Sequence, residues 1–157
     1  MLIENFTKVE IDPNAKLNGL TIFLWACKKG HTKMTEVLIQ NSSDLNVQLN
    51  EKESSGRTGF HLAIESGCLE LVDILMKNSA QFGIELNAKD ERSWTPFHLA
   101  CIFGKTNIVE HIIDNSKSFN IDLKAEDHNG RTGFMLAHSN VINMMKRRLQ
   151  SVVTNRN

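Results

Sequence analysis

The strongest constraint on this chain is a pattern that returns every 37 residues. Thr58-Gly59-Phe60-His61-Leu62-Ala63, Thr95-Pro96-Phe97-His98-Leu99-Ala100 and Thr132-Gly133-Phe134-Met135-Leu136-Ala137 align, and Thr21-Ile22-Phe23-Leu24-Trp25-Ala26 is a fourth, weaker copy. Gly30, Gly67 and Gly104 keep the same step, as do Gly19, Gly56 and Gly130. A period held in several residue classes at once points to one supersecondary unit stacked on copies of itself. Such a unit cannot bury its apolar face alone, so the stack supplies the core.

Each copy reads as helix, turn, helix and then an extended segment. Thr95 suits an N-cap, and Pro96 sits at the first helical position, where its missing N–H costs nothing. Phe97, Leu99 and Ala100 give that helix an apolar face, and Gly104 is placed to end it. Asn107 is expected to cap a second helix carrying Ile108, Val109, Ile112 and Ile113 at helical spacing. The linking segments carry period two: Leu45, Val47 and Leu49; Phe82, Ile84 and Leu86; Phe119, Ile121 and Leu123. That alternation predicts a strand-like connector with these side chains beneath the helices, turning near Ser55-Gly56, Arg92-Ser93 and Asn129-Gly130.

The run "TPFHLACIFGKTNIVEHII", preceded by "NAKDERSW", resembles the ankyrin repeat, whose signature T-P-L-H-x-A recurs with a period of about 33. "TPFHLA" departs from it only at Phe97. The surplus length falls between the second helix and Asn50, Asn87 or Lys124, which leaves the helical frame intact. The resemblance implies an all-α solenoid of stacked helix-turn-helix units with hairpin-like connectors, a single domain over residues 1–157. Full units are expected at 21–57, 58–94 and 95–131. Leu2-Ile3-Glu4-Asn5 matches the helix close Ile112-Ile113-Asp114-Asn115, and Val9 and Ile11 match a connector with a one-residue shift. Residues 1–20 are therefore expected to form a partial unit, either a trimmed array or a degenerate cap. Asn140-Val141-Ile142 matches Asn107-Ile108-Val109 after only 33 residues, so 132–157 reads as a shortened capping unit. Its helix, from Val141 to about Val152, carries Lys146, Arg147 and Arg148 as a solvated face.

Composition narrows the function classes. Eighteen basic residues balance eighteen acidic ones, without the basic surplus a general nucleic-acid binder needs. Cys27, Cys68 and Cys101 cannot all pair with one another, which points to a reducing, intracellular compartment, cytoplasmic or nuclear. Neither a secretory leader nor a membrane-spanning apolar run is read. No phosphate-cradling glycine loop and no pair of Cys-x-x-Cys zinc ligands is present, so no cofactor, metal or small-molecule substrate is expected. Cys27 and Cys101 share a position with Ile64 and His138, which suits packing better than nucleophilic chemistry. His61 and His98 share theirs with Leu24 and Met135, so the copies hold no common ligand set. The resemblance implies that Thr58, His61, Thr95 and His98 are structural, each histidine hydrogen-bonded to its threonine and to adjacent repeats.

The resemblance also implies that a partner protein docks on the concave surface, built from turn tips and the outer face of each first helix. Carried across by motif, that surface presents Leu17, Leu20, Lys28 and Lys29; then Ser54, Ser55, Arg57, Glu65 and Ser66; then Glu91, Arg92, Trp94, Ile102 and Phe103; then His128, Asn129 and Arg131. Trp94, Ile102 and Phe103 are expected to form an apolar centre bordered by Arg57 and Arg131. Packing of these three against a neighbouring unit's connector is the competing reading. The expected function is non-catalytic protein binding by a monomer, as a stand-alone adaptor or as an inhibitor resembling the inhibitory ankyrin proteins of transcription factors. The alternative is a targeting segment of a larger scaffold or multidomain protein.

Overall fold

A computed structural model of the chain describes residues 12–154. The matches placed on residues 2–11 lie outside the described residues. Helices α1 (Ile22–Lys29), α2 (Thr32–Gln40), α3 (Ser42–Leu45), α4 (Gly59–Ser66), α5 (Leu69–Phe82), α6 (Pro96–Ile102), α7 (Thr106–Asn115) and α8 (Ser139–Thr154) follow in order, with one 3-10 turn at Gly133–Leu136. They stack in two layers. α1, α4, α6 and the 3-10 turn pack side by side, while α2, α5, α7 and α8 form the second row.

The threonines at the N-caps set the first layer. Thr21 Oγ1 accepts the Leu24 amide at 3.3 Å, and Thr58 and Thr95 hold the same extended cap geometry before α4 and α6. Behind them Phe23, Phe60 and Phe97 are buried together with Leu24, Leu62 and Leu99. Gly59 permits the tightest approach: a Cβ there would lie 2.5 Å from Phe23 Cε1. In the second layer Leu71, Val72, Leu75 and Met76 of α5 and Ile108, Val109 and Ile112 of α7 are buried. Asn107 does not cap α7. Helical geometry already starts at Thr106, the cap residue is Lys105, and the Asn107 side chain accepts its neighbour's amide from Ile108.

The expected strand-like connectors are not strands. Phe82 is the last residue of α5, Leu45 is the last residue of α3 and is 51% exposed, and Phe119 and Leu123 are only half-buried. Only Val47, Leu49, Ile84, Leu86 and Ile121 are buried as the alternation predicts. The reason is that the chain keeps turning helically past the second helix and then closes it with a left-handed residue. Asn46, Gly83 and Asn120 all have positive φ, and the amides of Val47, Ile84 and Ile121 reach back to the carbonyls of Ser42, Ser79 and Ser116. This is a six-to-one helix closure. Period two survives only beyond it.

Two ladders then join each unit to the next. Asn14, Asn50 and Asn87 each use the side-chain NH2 to donate to the carbonyl of Asn46, Gly83 or Asn120, and their Oδ1 accepts from Gln48, Glu85 or Asp122. Beside them Lys16 Nζ donates to the Lys52 carbonyl, Lys52 to Lys89 and Lys89 to Glu126, at 2.9–3.0 Å. Hairpin tips follow. Glu53 N–H donates to the Arg57 carbonyl, Asp90 to Trp94 and Asp127 to Arg131, whereas Leu17 pairs with Leu20 across a turn one residue shorter. That missing residue leaves Asn14 and Lys16 one position short of the 37-residue step to Asn50 and Lys52. In the last unit the first helix is reduced to the 3-10 turn, whose Phe134 meets Phe97 edge-on at 5.1 Å. α8 begins at Ser139, two residues earlier than expected, and buries Val141 and Met144.

Ser93 stands at φ 59°, where the other tips have Gly19, Gly56 and Gly130. A side chain costs energy in the left-handed region, so Ser93→Gly is expected to stabilise the fold by roughly 1 kcal/mol in thermal or urea unfolding. Asn87→Ala removes two inter-unit hydrogen bonds and is expected to cost about 1–2 kcal/mol in the same assay.

Candidate protein-binding face

The signature histidines connect the core to this face. His61 is buried. Its Nδ1 accepts the Thr58 backbone N–H at 3.2 Å and lies 3.0 Å from Thr58 Oγ1. A ring nitrogen that accepts a backbone N–H carries a lone pair, so the proton is on Nε2 and is donated to the Trp94 carbonyl at 3.0 Å. His98 repeats this with Thr95 and with the Arg131 carbonyl. The pair is a reciprocal capping box with histidine in the place usually held by Glu or Gln. Each histidine thereby fixes the hairpin tip that leads into the next first helix.

Those tips carry the candidate residues. Trp94 is half-buried against the core. Its indole N–H donates to Asp127 Oδ2 in the following hairpin at 3.3 Å, and the Arg92 guanidinium lies 4.8 Å over its ring. Trp94, Arg92, Ile102 and Phe103 line one groove of about 380 Å³ together with Ser55, Arg57, Asp90, Glu91 and Leu99. Phe103, the C-cap of α6, is 45% exposed. Trp94 therefore makes both kinds of contact: one edge is tied to the neighbouring unit while the ring faces the groove.

The charged residues divide differently from expectation. Arg57 lines the groove but is already engaged, with Nε on Glu53 Oε1 and Nη1 on Glu65 Oε2, both at 2.9 Å. Burial pushes the Glu53 carboxyl up, but hydrogen bonds from Ser55 and Arg57 and the Arg57 charge outweigh it and hold it down at about 2. Arg131 is not on the groove. It grips Asp127 within its own hairpin, and reaches Trp94 only through that shared carboxylate. Hydrogen bonds from Arg131, acting against burial, keep Asp127 well below the usual carboxylate range. Lys28 and Lys29 sit two units away, beside Leu17, Leu20 and Trp25. Asp127, which sequence reasoning did not select, organises the tip. Its signal was present as an acidic residue at positions 53, 90 and 127.

Burial pushes the thiols of Cys27 and Cys101 up to about 12, with Thr35 partly opposing it at Cys27. Both remain protonated at neutral pH, as packing residues do. Among the described residues no cluster of His, Cys, Asp and Glu has the geometry to hold a metal ion. None of their helices is long and apolar enough to cross a membrane.

A family model of ankyrin repeats in three copies matches residues 1–90, and a single ankyrin repeat model matches residues 92–123. The chain belongs to the ankyrin repeat family. Ankyrin repeats are generally protein–protein interaction modules and typically non-catalytic, so binding to another protein is the activity this fold supports. A search of curated proteins finds no match to the chain. Within this ankyrin array the threonine–histidine box ties each first helix to a hairpin tip.

The box also makes the stack sensitive to acid. Burial pushes His61 down to about 4, against the opposing pull of the Trp94 carbonyl. An unfolded histidine takes its proton near pH 6.5, so stability is complete above that value. It is lost as pH falls from about 6.5 towards 4, by roughly 3 kcal/mol. Denaturant unfolding of wild type and His61→Leu across this range is expected to show that slope only in wild type. Leu24 already fills the same place in the first unit, so the replacement has a precedent in this chain.

Proposed function

We propose that this ankyrin array is a non-catalytic adaptor or inhibitor that binds a partner protein through the groove between the Ser55–Arg57 and Asp90–Trp94 hairpin tips and the end of α6. The observation that carries this reading is the meeting of Trp94, Ile102 and Phe103 in one open groove, with Arg92 stacked on the indole. Interface energies concentrate in aromatic and arginine residues set in such concave places. Arg57 and Glu65 form a closed polar border. The units divide at residues 21, 58, 95 and 132, and the protein acts as an intracellular monomer that presents a preformed surface. A rigid face loses little entropy on association. The second reading, a targeting segment of a larger protein, uses the same groove and differs only in what is attached to it.

The groove is tested most cleanly at Phe103, whose ring is the most exposed of the three. In pull-downs followed by affinity measurement with the recovered partner, Phe103→Ala and Trp94→Ala are each expected to weaken binding by about 2 kcal/mol or more. Phe103→Ala should leave the melting temperature nearly unchanged. Trp94→Ala should also lower it, because the indole is tied to Asp127. Unchanged affinity in both variants would refute the groove as the binding face.

A further inference from the structure

A second groove, of about 490 Å³, is lined by Leu17, Leu20, Trp25, Lys28 and Lys29. It occupies the same place in the repeat as the Trp94 groove, two units earlier. Leu20, Trp25, Lys28 and Lys29 stand 74 residues before Trp94, Leu99, Ile102 and Phe103. Leu17 takes the hairpin place of Asp90, since it pairs with Leu20 as Asp90 pairs with Trp94. The chemistry is redistributed, however. Here the apolar surface comes from the hairpin and Trp25, with Leu17 79% and Trp25 41% exposed, while the helix end supplies two lysines. Neither Lys28 nor Lys29 is ion-paired to a described residue. Between the two apolar walls the Glu53–Arg57–Glu65 cluster sets two carboxylates against one guanidinium, a net negative charge that disfavours acidic residues in the middle of a docked segment. Packed helices lie about 8–10 Å apart, so the two grooves are roughly 20 Å apart. That is about six residues of extended chain.

We infer that the concave face docks one segment of a partner protein carrying two large apolar side chains about six residues apart, with acidic residues beside the one seated among Leu17, Leu20 and Trp25. The inference rests on the reading of the Trp94 groove as the binding face and adds a second anchor with a charge requirement. Carboxylates opposite Lys28 and Lys29 meet unneutralised charge at the edge of an apolar wall, where attraction is stronger than in open water. Two anchors on one segment reinforce each other, because the second binds at the high effective concentration set by the first.

The test uses the full chain and a random peptide library displayed on phage, with peptides long enough to span both grooves. Selected peptides are then measured by calorimetry against wild type, Leu17→Ala, the Lys28→Glu/Lys29→Glu double variant and Trp94→Ala. The expected peptides carry acidic residues next to one of two spaced apolar anchors. Charge reversal at Lys28 and Lys29 is expected to weaken them at least about 10-fold, and added salt should weaken wild-type binding in parallel. Leu17→Ala, at an exposed position that the fold does not need, should weaken them too. Peptides that lose affinity on Trp94→Ala but are indifferent to Leu17→Ala and to charge reversal would overturn the second anchor and leave the Trp94 groove standing. Neutral or basic peptides would overturn it equally. Peptides indifferent to Trp94→Ala, or an empty selection, would count against both.

Discussion

The hydrogen bond from His61 Nε2 to the Trp94 carbonyl, repeated from His98 to Arg131, joins the buried start of one first helix to the exposed tip of the next hairpin. The reciprocal box is complete only while the imidazole is neutral, with Nδ1 taking the threonine amide. A charged ring would have a donor at both nitrogens and would oppose that amide. The threonine amide is buried and the carbonyl partly so, and leaving either unmet would carry a desolvation cost. The position of Trp94 on the surface is thus set by a residue in the core, and the shape of the Trp94 groove depends on the integrity of the stack.

The hairpin tips are positioned by hydrogen bonds from two sides. The tips are held from within by Asp90 and Asp127, whose carboxylates accept the amides of Arg92, Trp94, Asn129 and Arg131. From behind they are held by the histidines. Side chains such as Phe103 and Arg92 are then free to vary without disturbing the backbone. The same frame carries a lysine-edged groove at one end, an ion-pair cluster one repeat on and an aromatic groove one repeat further. Chemistry can therefore change along the face while the fold stays constant.

Much of this was legible in the residues. The threonine–histidine spacing of two copies, the glycines at three first-helix ends and the apolar faces of the helices each depend on short-range geometry, which a single copy displays and the others repeat. The gathering of Trp94, Ile102 and Phe103 followed from the same register. The connectors were not legible in this way. Phe82, Ile84 and Leu86 alternate in sequence, but a left-handed glycine between the first two changes the direction of the chain, so the spacing no longer reports on one face. Arg131 was misplaced for a related reason. Equivalence by repeat position says where a side chain starts, not which partner it prefers, and a buried carboxylate four residues earlier captured it.

Three sets of side-chain ties reach forward along the chain by about one repeat. Asn50 and Asn87 meet their partners 33 residues on, the histidines do the same, and Lys52 and Lys89 meet theirs 37 residues on. In every case the side chain belongs to the earlier stretch of chain and the carbonyl to the later one. On a ribosome each tie can close as soon as the next unit has emerged, and none waits for a distant partner. Construction and synthesis run in the same direction. Entropy of loop closure stays the same at every step, and exposed apolar surface is confined to the newest unit, which limits the interval during which a nascent chain can associate wrongly.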